Sequence, residues 1–356
     1  MSGALIELVS KGVQDVYLTG EPQVSFFRQN YKKHTNFAMK PVELKPVGSQ
    51  GANQEVSIPV ENKGDLLTYI WCDAVPGKAA NTTAQNIQVD EQLTPTEFSL
   101  WIGGVEIDRN DGFYLDSLWS KFMATSASKH VKPSSIAAGF FPLHFFNCDN
   151  YTTPIPLVAL QYHKVEIRMK QGPNINSTPV RFYANYMMLD TDERKFFTEN
   201  EHEYLITQVQ RTEADASGAD LTYLNHPVKA LLWGQSTVNS FITNDVQLRL
   251  NGTDVFDRVM PRVYFNWVTM YNHSEYAPLN SALTADTSLY MYPFSLYPNR
   301  HQPTGSVNFS RLDNGKLTWT ASGGTAGTTL GPSYLYAVCY NILRIRDGLG
   351  GLAFSN

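Results

Sequence analysis

Leu100-Trp101-Ile102-Gly103-Gly104-Val105-Glu106-Ile107-Asp108-Arg109 returns, one residue longer, as Leu248-Arg249-Leu250-Asn251-Gly252-Thr253-Asp254-Val255-Phe256-Asp257-Arg258. Each copy reads as a strand running into a tight turn and back. Gln247 to Leu250 alternates strictly and meets Asn251-Gly252, a strong hairpin signal because both central turn residues need positive φ. Phe98 to Ile102 runs into Gly103-Gly104 in the same way. Two hairpins of one pattern in one chain point to an internal duplication, the feature to seek before any other.

Three further pairs recur in the same order. Leu66-Leu67-Thr68-Tyr69-Ile70-Trp71 is echoed by Val228-Lys229-Ala230-Leu231-Leu232-Trp233. Phe141-Pro142-Leu143 matches Tyr292-Pro293-Phe294, and Phe182-Tyr183-Ala184 matches Leu335-Tyr336-Ala337. The spacing is 148 from Gly104 to Gly252, 151 from Pro142 to Pro293, 153 from Tyr183 to Tyr336 and 162 from Trp71 to Trp233. The larger last value is explained by a polar segment, Gly77 to Thr96, present only in the first copy and read as an exposed outer loop.

Between these anchors the chain is mostly short strands and turns. Tyr162 to Met169 alternates, with Val165, Ile167 and Met169 on one face. Helical signals are few, the best being Phe113–Met123, Asp192–Phe197 and a short stretch near Ala4–Lys11. Asp190-Thr191-Asp192-Glu193-Arg194-Lys195 reads as a capped helical connector where the copies join. Each copy has the length and strand density of an antiparallel sandwich. The expected fold is all-β: two tandem antiparallel sandwiches, with a short N-terminal helix and a few short connecting helices.

Composition agrees and excludes several classes. Hydrophobic residues make up 42% of the 356 and charged residues 17%, enough apolar material for packed cores and too little charge for a disordered chain. The 19 Tyr and 19 Phe suit pleated strands. The net charge of −5, without a strongly basic tail, argues against direct nucleic-acid binding. Cys72, Cys148 and Cys339 are odd in number and far apart, so no disulfide framework is expected. Met1 to Val9 offers no signal-peptide core, and no apolar run spans a bilayer.

The opening Gly12-Val13-Gln14-Asp15-Val16-Tyr17-Leu18-Thr19-Gly20-Glu21-Pro22-Gln23, then Phe26-Phe27-Arg28 and Tyr31-Lys32-Lys33-His34-Thr35-Asn36-Phe37, resembles the start of the major capsid proteins of nucleocytoplasmic large DNA viruses, including those that infect algae. The resemblance continues through Pro156–His163, Leu189–Arg194, His202–Ile206, His301–Arg311, Asn341–Arg346 and Gly350–Asn356. It implies two tandem antiparallel eight-stranded jelly rolls per subunit, arranged as an N-terminal arm (1–25), a first jelly roll with the connector helix (26–200) and a second jelly roll (201–356). It also implies a homotrimer of pseudo-hexagonal outline, and trimers tiling an icosahedral shell. It implies as partners neighbouring capsomers and minor capsid and penton proteins, with an inner membrane met only indirectly. The protein would then be a structural, non-enzymatic part of the virion, assembled in the host cytoplasm. The alternatives are a secreted-type double jelly-roll hydrolase and a carbohydrate-binding protein.

Residue chemistry offers those alternatives little. No catalytic residues, cofactor or metal are expected. The eight His form no HExxH or other paired zinc spacing. Asp108-Arg109-Asn110-Asp111-Gly112 resembles the start of a calcium loop, but the glycine comes one place early and Trp119 stands where the bidentate Glu belongs. It is read as a polar turn. Gly348, Gly350 and Gly351 have no helix after them to form a phosphate loop and are read as a flexible tail. Glu199-Asn200-Glu201-His202-Glu203 is read as a solvated approach to the second domain. Among the sequons, Asn251 and Asn308 suit structural roles, and Asn81 in the expected outer loop is the candidate glycosylation site.

Overall fold

The structure is a computed structural model and describes residues 10–29, 31–73, 87, 95–125, 140–173, 175, 179–235, 242–256, 259–275, 289–322 and 334–355. The chain forms two compact units, Met1–Asn36 and Phe37–Asn356. In the first, the described residues are highly exposed and contain a short helix, Val16–Thr19. The expected helix near Ala4–Lys11 lies almost wholly outside the described residues, and so does the Gly77–Thr96 loop apart from Ile87, Pro95 and Thr96. Ile87 itself is buried in the core, against the exposure expected at that position.

The second unit is built from antiparallel sheets. Its first half contains β1 (Phe37–Leu44), β2 (Glu55–Pro59), β3 (Leu66–Asp73), β4 (Glu97–Ile102), β5 (Val105–Asp111), β6 (Phe140–Leu143), β7 (Ile155–Pro156), β8 (Val165–Lys170) and β9 (Arg181–Leu189). Its second half contains β10 (His202–Glu213), β11 (Gly218–Asp220), β12 (Pro227–Gly234), β13 (Ile242–Leu250), β14 (Thr253–Asp254), β15 (Leu289–Pro293), β16 (Val307–Asn308), β17 (Gly315–Ser322), β18 (Tyr334–Arg346) and β19 (Leu349–Leu352).

The first half pairs as β1-β9-β3-β6 and β2-β8-β4-β5, with β7 beside β3. The second pairs as β10-β18-β12-β15 and β11-β17-β13-β14, with β16 and β19 added. Leaving out the three short additions, both halves follow one rule. Strands one, eight, three and six make one sheet, and two, seven, four and five make the other. That is the jelly roll, in which two four-stranded sheets face each other across one core. The protein is a double jelly roll.

Local chemistry explains the elements. Both β4–β5 and β13–β14 turn on two residues with positive φ, Gly103 (+59°) with Gly104 (+81°) and Asn251 (+50°) with Gly252 (+78°). Val165, Ile167 and Met169 of β8 point inward, as the alternation requires. The connector is the helix Thr191–Glu199, and Asp190 caps it by accepting the Thr191 N–H at 2.7 Å.

The strands of the repeat are those read from the sequence, but two registers differ. Trp71 lies opposite Pro142 and Tyr183, whereas the residue opposite Met291 and Tyr336 is Leu232. The true counterpart of Trp71 is therefore Leu232, and that of Cys72 is Trp233. A one-residue slip moves a side chain to the other face of a sheet. Trp233 accordingly fills its own sandwich, stacked at 6.0 Å from Trp319, while Trp71 lies on the outer face against Tyr183 at 4.3 Å. By the same pairing Phe141 matches Tyr290, two residues from the correspondence read from sequence.

Two hydrophobic clusters fill the body. One lies inside the second jelly roll around Trp233, Phe265 and Trp319. The other fills the first jelly roll and extends without a break to Ala230, Leu232, Leu289, Met291, Tyr336 and Val338, on the outer face of the second half's β10-β18-β12-β15 sheet. That sheet is buried on both sides, and β12 is buried from Val228 to Gly234. Both-sided burial explains why β12 reads as a nearly continuous apolar run.

Candidate functional site

Where the halves meet, the polar residues are concentrated on β5, β10 and β18. Asp108, Asn110 and Asp111 lie on β5, all nearly inaccessible. Consecutive polar residues gave the reading of a turn, but the segment is a strand with its side chains turned into the seam. Asp108 accepts the Val209 N–H of β10 at 3.0 Å, its own neighbour's N–H from Arg109 at 2.9 Å, and the Asn110 amide at 3.1 Å. Burial still dominates and pushes the Asp108 carboxyl up to about 7.

Asp111 is held by both halves. It takes the Tyr114 N–H at 2.8 Å, the Tyr336 hydroxyl of β18 at 2.8 Å and the Arg211 guanidinium of β10 at 3.1 Å. Arg211 also reaches Glu97 of β4 at 2.8 Å and covers the Tyr334 ring. Burial raises the Asp111 carboxyl and Arg211 opposes that rise. Deeper in the seam, the Gln208 amide donates to Ile107 O and accepts from Asn341 at 2.9 Å. Lys121 donates across to Asn266 at 2.9 Å. Lys229, also enclosed, lies over the Tyr340 ring at 5.3 Å, and burial depresses its ammonium to about 8.

Above this network is a cleft of about 400 Å³ lined by Glu106, Arg109, Asp111, Arg211, Tyr223 and Tyr336. Its charged groups are already engaged: Arg109 by Glu106 at 2.7 Å and Arg211 by Asp111 and Glu97. Such an arrangement ties the two jelly rolls together. Among the described residues no cluster of three or more His, Cys, Asp or Glu could hold a metal ion.

The C-terminal glycines close a second tie. They form no flexible tail: Asp347 and Gly348 turn with positive φ, +51° and +80°, and β19 pairs back on β18. Gly348 O accepts the Tyr162 N–H at 3.1 Å, and His163 Nδ1 lies 2.9 Å from Gly350 O. A Cβ at Gly350 would press on Leu160 and Ile102 of the first half. The glycines permit that approach.

The remaining residues singled out by sequence fall as follows. Glu201 and Glu203 pair with Arg346 and Arg344, at 2.9 and 2.7 Å, on an exposed surface. His202 is nearly buried and its Nε2 lies 2.9 Å from Phe197 O. Asn251 Oδ1 accepts from the Asp313 and Asn314 N–H groups, and Asn308 caps a short turn at Ser310, so both serve the backbone. Asn81 lies outside the described residues. Sequence reasoning missed Asp108, Asp111, Arg211 and Tyr336 as one group, because nothing local brings them together.

Two family descriptions match the chain: "Major capsid protein N-terminus" over residues 25–190, and "Large eukaryotic DNA virus major capsid protein" over residues 193–351. The chain is also 32% identical to the major capsid protein of Pyramimonas orientalis virus, with all of both chains covered. The chain belongs to the major capsid proteins of large eukaryotic DNA viruses. The major capsid protein of Paramecium bursaria Chlorella virus 1 is 30% identical, again over the whole of both chains. A quasi-atomic model of the PBCV-1 virus capsid superimposes with a TM-score of 0.71 at 26% identity, covering 93% of this chain and 100% of that one. As a major capsid protein the chain is a structural component of the virion shell and not an enzyme.

Proposed function

We propose that three copies of the chain associate into a trimer of pseudo-hexagonal outline, and that such trimers tile an icosahedral shell. The observation that carries this is the repeated strand order. Two jelly rolls of one topology, fused by a continuous core, give a trimer six similar sandwiches, so three chains can occupy a near-sixfold position. The domains in this reading are an arm, 1–25, a first jelly roll, 26–200, and a second, 201–356. The strand content of the two halves and the two family matches support that division.

The partners of such a trimer are neighbouring capsomers and, beneath and between them, minor capsid and penton proteins. The inner membrane is met only through those proteins, and assembly takes place in the host cytoplasm. The test is the mass of the purified protein by light scattering coupled to size exclusion, followed by electron microscopy of concentrated samples. A species near 120 kDa, three times the 40.0 kDa chain, that forms hexagonal arrays is the expected result. A stable monomer that forms no arrays would overturn the proposal.

A further inference from the structure

The helix that follows the fifth strand exists in both halves, but only one copy is covered. In the first half it is Tyr114–Met123, in the second Tyr264–Val268 continued by Thr269–His273. Both contain the wide turn in which an N–H reaches back five residues, Ala124 to Trp119 O and Thr269 to Tyr264 O. Tyr114 and Tyr264 are 150 positions apart, within the spacing of the repeat. At that offset Ser117, Leu118 and Lys121 correspond to Trp267, Val268 and Tyr271. The first three are buried, and Lys121 reaches Asn266 of the second half. The second three are exposed, Trp267 at 44% and Tyr271 at 88%.

The surface that receives the first helix has an uncovered counterpart as well. The first helix packs on β12 and β15, with Leu232, Met291 and Tyr336 wholly buried. By strand register their equivalents are Trp71, Pro142 and Tyr183 of β3, β6 and β9. All three are only half-buried, and Trp71 stacks on Tyr183 as an aromatic plate. One chain thus ends in an apolar helix stripe at one side and a matching apolar sheet face at the other. The internal junction shows how such a pair fits.

We propose that the stripe Trp267, Val268 and Tyr271 of one copy seats on the Trp71, Pro142 and Tyr183 face of the next, head to tail. This rests on the trimer reading and specifies its contact. The occupant is a second copy of this chain, because the chain's own two halves already make the same contact once. Aromatic and apolar residues without charge at the centre suit such an interface, and the Arg300–Glu275 pair at 3.4 Å supplies a polar rim near the helix. A head-to-tail contact closes when its rotation divides a full turn, so a ring of three chains repeats one kind of junction six times.

The experiment uses the full chain and two variants, Trp267→Glu with Tyr271→Glu, and Trp71→Glu, each checked for native circular dichroism. Wild type is expected at about 120 kDa and each variant near the 40.0 kDa of one chain. Mixed together, they retain one good helix and one good sheet face and are expected to form a pair of about 80 kDa. Folded variants that remain trimers, or that fail to pair, would overturn the contact while leaving the trimer reading intact. A monomeric wild type would overturn both. A Trp71→Cys, Tyr271→Cys chain treated with a short bis-maleimide avoids the buried charge: covalent trimers are expected, and monomers alone would overturn the contact.

Discussion

Replacing Arg211 by Met should destabilise the whole body, because it leaves the Asp111 carboxylate enclosed without its cation. Asp111 is 3% exposed at the side chain, and Arg211, at 28%, is its only salt-bridge partner among the described residues. The Tyr336 hydroxyl and Tyr114 N–H would remain, at 2.8 Å each, but neither carries charge. At an effective dielectric near 20 a contact of this length is worth roughly 5 kcal/mol before desolvation. Loss of one partner from a buried pair costs about 3–5 kcal/mol. With an unfolding entropy of about 2.1 cal/mol/K per residue over the body, Phe37–Asn356, that corresponds to a Tm lower by roughly 4–7 °C.

The assay is thermal and urea unfolding of wild type, Arg211→Met, Asp111→Asn and the double variant. The double variant should be more stable than Arg211→Met alone, because it removes the uncompensated charge. The deficit of Arg211→Met should also shrink at low pH. Burial already raises the Asp111 carboxyl, and losing Arg211 raises it further, so protonation relieves the folded state first. A loss below about 1 kcal/mol at pH 8, with no gain in the double variant, would show a solvated surface pair and refute the reasoning.

Asp108 gives a second pH test. Its folded carboxyl, near 7, lies above the unfolded value, so the folded state binds more protons and stability falls as pH rises from about 4 through 7. Asp108→Asn should therefore gain in Tm relative to wild type between about pH 5 and pH 8, as scanning calorimetry would show. Gly103→Ala and Gly252→Ala form a matched pair at positive φ. The first adds a clash with the His163 ring and the second meets open space, so urea midpoints should show the first the more costly, with the second near 1 kcal/mol. The three thiols are buried, and burial pushes Cys148 and Cys339 up to about 12. Ellman's reagent should find none reactive in the native protein at about pH 8 and three after denaturation.

What the sequence made legible was whatever local chemistry specifies. Asn251-Gly252 can only turn tightly, β8 alternates because one of its faces is dry, and Asp190 caps because a helix must begin beside it. Repetition at a near-constant spacing then gave the two sandwiches. Register was less legible, because a bulge between Val228 and Ala230 of β12, and another between Leu67 and Ile70 of β3, shift the pairing by amounts that composition does not record. Two tryptophans attracted each other in the comparison, although they face opposite sides of their sheets. The seam was invisible for a different reason. Asp108, Asn110 and Asp111 look hydrated in isolation, and only a strand more than 90 positions later supplies Gln208, Val209 and Arg211 to satisfy them. The C-terminal glycines misled similarly, since small residues that permit close approach resemble those that permit freedom.

The most direct test of the account is electron cryomicroscopy of the purified oligomer with no symmetry imposed. The account predicts a threefold ring of six similar lobes, in which the helix ending at His273 of each copy lies on β3 and β9 of the next. A particle with two-fold symmetry, or a ring in which those aromatic surfaces face solvent, would contradict it.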